Sequence, residues 1–216
     1  MIYTIFSSYY NGLQLSIFTF LFSILLDFTV SSDTLTHILK KNPELYIKGV
    51  QANIINLFIL SPVYYSILYF LYFDIKNINF NLTKFLCITL LHNFLYYLGH
   101  KAMHKIKYIQ YFHNFHHEFK LTTPSTGNAV SIYEYNFAYV LPFIIGIILF
   151  RPNNITLKSS VFTISFFNTI IHCHELSNIN WPKFLVSPFD HGVHHKNKSG
   201  TYSAPIINID RLLGNN

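Results

Sequence analysis

The sequence predicts an all-α integral membrane bundle of four or five transmembrane helices with a cytosolic, histidine-rich helical cap, and three observations support this. The 216 residues are 51% hydrophobic and 18% aromatic but only 11% charged, against roughly 25% charged in a soluble domain. Five apolar runs are long enough to cross a bilayer that takes about 20 helical residues, or to fold back within it. Ten of the twelve histidines fall in four short clusters that follow the ends of those runs. With a mean hydropathy of +0.31, the missing polar surface is explained by lipid taking the place of water. The same composition excludes disorder. A net charge of +6 would point to nucleic acid in a soluble chain, but no basic stretch interleaved with aromatics is present, so no nucleic-acid partner is expected. Cys87 and Cys173 are too few for a disulfide framework.

The runs at 13–30, interrupted only by Asp27, and at 54–73 read as spanning helices. No signal-peptide layout precedes the first, which is therefore expected to be an uncleaved anchor. The shorter run at 85–98 leads directly into His100. Those at 135–150 and 161–171 are separated by Arg151, Pro152, Asn153 and Asn154, a polar turn with a helix breaker, and read as a membrane hairpin. No repeat or linker divides the chain. It is expected to be a single domain, with an N-terminal transmembrane region at 1–84 and a catalytic region at 85–216. Basic residues favour the cytoplasmic side of short loops. With this topology, 11 of the 15 lie on the face that carries the histidine clusters, which are therefore expected to be cytoplasmic.

The clusters are His100-x-x-x-His104, His113-x-x-His116-His117, His172-x-His174 and His191-x-x-His194-His195. On a helix, positions i and i+4 share a face, so each motif can aim two or three imidazoles at one ion. Ten imidazoles exceed what a single tetrahedral or octahedral ion takes, which makes two metals the expected count. Gathering groups so costly to desolvate is rational only around a cation. His37 and His92 read instead as ordinary polar groups at the interface. A zinc hydrolase of the HExxH type is disfavoured, because neither Glu118 nor Glu175 is followed three residues later by His. A transporter would place its ligands at mid-bilayer. Histidine-only ligation of two iron ions beside a lipid-accessible cavity leaves oxygen activation as the expected chemistry.

With these motifs the chain resembles the fatty acid hydroxylase superfamily, which includes sterol desaturases, methylsterol oxidases and lipid hydroxylases. The likeness covers roughly residues 85–214. It includes Glu118, Pro124 and Glu134 after the second motif, the last motif within Ser187-Pro188-Phe189-Asp190-His191, and a closing Asp210-Arg211-Leu212-Leu213-Gly214. Asn93 stands where the family usually has Asp, and Thr201-Tyr202-Ser203 where many relatives have Asn-Tyr-Gly. The likeness implies a membrane-bound di-iron enzyme that hydroxylates or desaturates a C–H bond of a lipid such as a sterol or fatty acyl chain. It would use O2 and a separate electron donor, a b-type cytochrome or reductase, with zinc able to replace iron during purification. It also implies a home in the endoplasmic reticulum membrane if the source is eukaryotic.

The expected ligands are the ten clustered histidines, of which His172 matches the family position better than His174, with no other catalytic side chain. Asn93, Glu118, Glu134 and Asp190 are candidates for orienting the ligands, although Glu118 beside Lys120 equally reads as a solvated charge. Cys173 reads as packing. The rival reading is a non-catalytic, metal-binding membrane scaffold related to this family.

Overall fold

The computed structural model describes residues 2–74 and 76–214. Helix α1 (Ile2–Thr29) is followed by the short amphipathic α2 (Ser32–Lys41), then by α3 (Pro43–Asn53), which passes through a π-helical turn (Ile54–Leu60) into α4 (Ser61–Tyr72). α5 (Leu82–Lys105) and α6 (Lys107–Asn114) carry the first histidine motifs. Two 3-10 turns, His116–Glu118 and Pro124–Asn128, lead to α7 (Ile132–Glu134), which runs through a second π turn (Tyr135–Val140) into α8 (Leu141–Phe150). α9 (Asn154–Ile171) returns alongside it; a 3-10 turn (His174–Asn178), α10 (Pro188–Asn197) and α11 (Ile209–Leu212) complete the fold. The fold is all-α, as expected. Among the described residues there is no strand, only a lone bridge between Leu185 and Ile207.

Among the described residues three stretches, Phe6–Thr29, Pro43–Tyr72 and Ile132–Phe150, are long and apolar enough to cross a membrane. α5 and α9, which contain the other two expected runs, are 24 and 18 residues long. They are diluted by Lys84, His92 and Asn93, and by Lys158 and Asn168, and are not among the three. Three hydroxyls of α1 are satisfied within the helix itself, which suits a lipid surround: Ser16 donates to the Gly12 carbonyl, Ser23 to Phe20 and Thr29 to Leu25.

Both π turns end just before a helix with proline in its first turn, Pro62 in α4 and Pro142 in α8. Proline lacks an N–H and its ring crowds the carbonyl four residues earlier, so widening the preceding turn keeps the long helix continuous. The expected hairpin between α8 and α9 is present. Arg151 closes α8 with a left-handed φ of 43°, and the Asn153 side chain caps α9 by accepting from Thr156 N–H at 2.9 Å.

The C-terminal segment is pinned across α5 by Asn93. Its Oδ1 accepts from the N–H groups of Ile206 and Ile207 at 3.0 and 3.3 Å, and its Nδ2 donates to the Thr89 carbonyl. Asn93 makes no hydrogen bond to a histidine; it fastens the chain end that carries the last anchors of the site. Beneath the histidines, Tyr96, Met103, Ala138, Ile171, Val186 and Ala204 form a buried apolar cluster.

α1 and α4 come closest at Gly12, where a Cβ would stand 2.8 Å from Tyr65 Cβ and 2.9 Å from Pro62 Cα. At Gly146 a Cβ would meet Ile88 Cγ2 at an ordinary 3.5 Å. Gly12→Ala is therefore expected to destabilise by about 1–3 kcal/mol, in the range of core overpacking. Gly146→Ala is expected to be neutral or slightly stabilising, because helical glycine costs about 0.5–1 kcal/mol relative to alanine. Thermal unfolding in detergent compares the two, and equal midpoints would contradict the close α1–α4 crossing.

Candidate metal centre

α5 presents His100 and His104 one turn apart, α6 carries His113 in its last turn, and the following 3-10 turn carries His116 and His117. α9 stops at Ile171 with His172 as its C-cap. α10 is started by Ser187, whose side chain accepts from Asp190 N–H, and it brings His191, His194 and His195 to the same place. The result is two groups in which one ring nitrogen of each histidine lies within 4.8 Å of those of the others: His100, His104, His113, His117 and His194 in one, and His116, His172, His191 and His195 in the other. They adjoin, with the rings of His117 and His195 5.0 Å apart between centroids.

In the five-histidine group, His113 Nε2 lies 2.9 Å from both His100 Nε2 and His117 Nε2. His104 Nε2 lies 3.2 Å from His100 Nε2 and 3.1 Å from His117 Nε2, and His194 Nε2 lies 3.1 Å from His100 Nε2. In the four-histidine group, His191 Nε2 is 2.9 Å from His172 Nε2 and 3.2 Å from His195 Nε2. Two nitrogens bonded at about 2.0–2.1 Å to one ion and at right angles to each other stand about 3 Å apart, so the spacing fits a shared cation.

The outward nitrogens explain how the rings are held. His100 Nδ1–H donates to the Tyr202 carbonyl at 2.7 Å, His172 to Asn168 at 2.6 Å, His195 to Phe119 at 3.0 Å and, more weakly, His116 to Ala129 at 3.4 Å. His113 Nδ1 lies 2.6 Å from Glu134 Oε1. A carbonyl oxygen only accepts, so the nitrogen facing it carries the proton and the inward Nε2 keeps its lone pair. These partners are themselves secured. Glu134 is seated by Ser131, whose Oγ accepts from Glu134 N–H and donates to the Phe112 carbonyl. Tyr202 is held by Asp210, whose carboxylate accepts from the N–H groups of Tyr202 and Ser203 and from the Ser203 hydroxyl.

Nine of the ten expected histidines thus come together, and His174 does not. α9 ends at Ile171, the chain turns into a 3-10 segment, and residues two apart would face opposite sides even on a continuous helix. His174 lines a surface pocket with Glu175, Phe189 and Lys196. Of the proposed supports, Glu134 contacts a histidine. Glu118 is solvent-exposed and Asp190 lies partly buried in the first turn of α10, and neither hydrogen-bonds to a histidine. His92 is fully buried rather than interfacial, with Nε2 3.3 Å from the Tyr139 carbonyl and its ring against Phe143; His37 is exposed. The sequence reading missed the four backbone carbonyls, which leave no mark in residue type. It also passed over Gly127, where a Cβ would lie 2.8 Å from His172 Nδ1.

Burial holds His113, His116, His191, His194 and His195 well below the usual imidazole range, and the neighbouring imidazoles push the same way. Burial, then the adjacent histidines, takes His104 and His117 down to about 3. The unfolded chain titrates near 6.5, so on acidification the unfolded state of the metal-free protein takes up protons first. The stability contributed by neutral imidazoles is complete above about pH 7 and is lost as pH falls from about 6.5 towards about 3. The unfolding temperature of chelator-treated protein is expected to fall between pH 8 and pH 5. A flat profile would show that these histidines are not held neutral.

No curated protein and no solved structure matches the chain. The profile of the fatty acid hydroxylase family, whose members are generally oxidoreductases, matches residues 85–215, a span that begins within α5 and includes every histidine of both groups. With three helices able to cross a bilayer and two histidine groups able to hold metal, this membrane protein belongs to the fatty acid hydroxylase family.

Proposed function

We propose that the protein is a membrane-bound di-iron oxygenase that hydroxylates, or desaturates, a C–H bond of a lipid such as a sterol or fatty acyl chain, using O2 and electrons from a separate b-type cytochrome or reductase. The observation that carries this reading is the set of inward lone pairs. His172 and His195, each with Nδ1–H given to a backbone carbonyl, both face His191 Nε2 through Nε2, at 2.9 and 3.2 Å, and His191 has at most one proton to share between them, so one of the two contacts sets lone pair against lone pair. That contact is repulsive unless a cation lies between the lone pairs. The donor set fits iron. His100, His104, His113, His117 and His194 would hold one ion, and His116, His172, His191 and His195 the other.

Iron bound there supplies oxygen activation, the chemistry needed to attack an unactivated C–H bond. The chain's own part is to orient and to exclude water. Tyr202, Asn168, Phe119 and Ala129 carbonyls and the Glu134 carboxylate fix the ring orientation and keep Nε2 available. A largely apolar cavity of about 100 Å3, lined by residues such as Leu57, Leu68, Phe143, Ile147 and Ile164, reaches Asn128, Tyr139 and Asn168. Asn168 is the residue whose carbonyl holds His172, so an apolar lipid segment in this cavity would lie beside the four-histidine group. Four or five crossings, with the histidine face cytoplasmic and the protein in the endoplasmic reticulum membrane in a eukaryote, complete the reading.

Purified protein is expected to hold two transition-metal ions per chain, with zinc replacing iron after overexpression, as the Irving–Williams order favours. A well-folded preparation with one ion or none would refute the dinuclear centre. Oxygen-dependent product from a lipid extract, read by mass spectrometry, tests the activity. His104→Ala, His117→Ala, His172→Ala and His195→Ala are expected to abolish product and release metal, whereas His37→Ala and His174→Ala keep most of both. A reporter at the C-terminus is expected on the cytoplasmic side and one between Asn153 and Asn154 on the opposite side. Finding both on one side would overturn the proposed topology.

A further inference from the structure

Asp27 lies in α1, outside the family-matched span and every histidine motif, and its side chain is fully buried. A carboxylate within an apolar helix is expensive and is kept for a use. Its Oδ1 accepts from Ser125 N–H at 2.8 Å, and its Oδ2 accepts from the Ser125 hydroxyl and from Tyr46 Oη. Two further side chains from the N-terminal part of the chain reach the same strap, residues 124–130. Asn53 Nδ2 donates to the Ser125 carbonyl at 2.8 Å, and Asn56 Nδ2 donates to the Val130 carbonyl at 2.9 Å. Both backbone polar groups of Ser125 are therefore held by residues of the membrane helices.

The strap's other side meets the four-histidine group twice. The Ala129 carbonyl accepts from His116 Nδ1–H, and Gly127 packs so closely on His172 that a Cβ would stand 2.8 Å from its Nδ1. Just past the end of α1, the Ser31 hydroxyl also donates to Glu175, in the turn that follows His172. The five-histidine group is held elsewhere, by Tyr202 and Glu134.

We propose that Asp27, assisted by Asn53 and Asn56, is a positioning residue for the four-histidine group alone, fixing the strap so that His116 and His172 meet His191 and His195 in ligating order. This rests on the reading of the two groups as metal sites. Three donors converge on Asp27, which suits an acceptor-only carboxylate. An asparagine would turn an NH2 group towards one of them.

The experiment measures metal per chain by mass spectrometry after dialysis against graded chelator, together with the unfolding temperature. Asp27→Asn is expected to weaken retention of one of the two ions by about 10- to 100-fold, the usual effect of losing a ligand's support, and to leave the other at wild-type strength. Adding His191→Ala to Asp27→Asn is expected to cost no further ion, while adding His113→Ala removes the remaining one. Gly127→Ala, which presses on His172 directly, is expected to reproduce the selective loss. If Asp27→Asn does not accumulate, Asn56→Ala, which removes one strap bond and no charge, is expected to show the same selectivity in weaker form. Retention of both ions at wild-type strength, or parallel loss of both, would overturn the proposal. Metal-free wild-type protein would instead refute the metal-centre reading, and it would do so before any substitution is made.

Discussion

The structure turns on the repulsion between imidazole lone pairs. A histidine whose Nδ1–H is given to a carbonyl has no freedom to point a proton inward, and several such rings converge in a buried space. Solvent cannot relieve the contact, and protonation is opposed by burial. The fold therefore brings together groups that would separate without a cation, and the cost of doing so falls on every element that holds a ring. This explains why the carbonyls are themselves so firmly fixed. The Tyr202 carbonyl is set by the Asp210 carboxylate, and the Glu134 carboxylate by a serine that spans its own backbone and that of Phe112.

That requirement also accounts for the irregularities of the membrane helices. A regular α-helix satisfies its own backbone and has nothing to offer a neighbouring loop. The two π turns carry polar side chains where they can reach the strap: Asn56 bonds the Val130 carbonyl, and Tyr139 bonds the Gly127 carbonyl. The prolines that provoke the widening thus lie close in sequence to the residues that brace the site, Pro62 six positions after Asn56 and Pro142 three after Tyr139. The strap is buried along its whole length, so without those bonds its peptide groups would be orphaned in a medium that offers no water.

What could be read from the chain follows the range of each interaction. The i, i+4 spacing of His100 with His104, of His113 with His117 and of His191 with His195 survives into the structure because each pair lies on one local turn, and the apolar runs likewise reappear within their helices. His174 is the exception because residues two apart do not share a helix face and the chain leaves α9 at Ile171. Asn93, which the family likeness places near the site, serves the chain end through bonds to residues 206 and 207, more than 100 positions away. Asp27 was visible only as an interruption in an apolar run. Its partner Ser125 is 98 residues distant and uses a backbone N–H and a hydroxyl, groups that carry no distinctive spacing.

The two histidine groups consequently differ in what supports them. The five-histidine group is anchored by residues of α5, α6, α7 and the loop closed by Asp210 that all lie within positions 85–215. The four-histidine group backs onto a strap suspended from α1, α3 and the first π turn, and it adjoins the apolar cavity between the membrane helices. A movement of α1 or α3 is transmitted to the strap through buried hydrogen bonds with few alternative partners, and from the strap to His116 and His172. Lipid entering between these helices would press first on the walls that carry Tyr139 and Asn168, and both bond the Gly127 carbonyl beside His172. The group nearest the cavity is thus the one that also depends on α1 and α3, while the five-histidine group meets the membrane helices through Glu134, at the start of the Ile132–Phe150 stretch, beside His113.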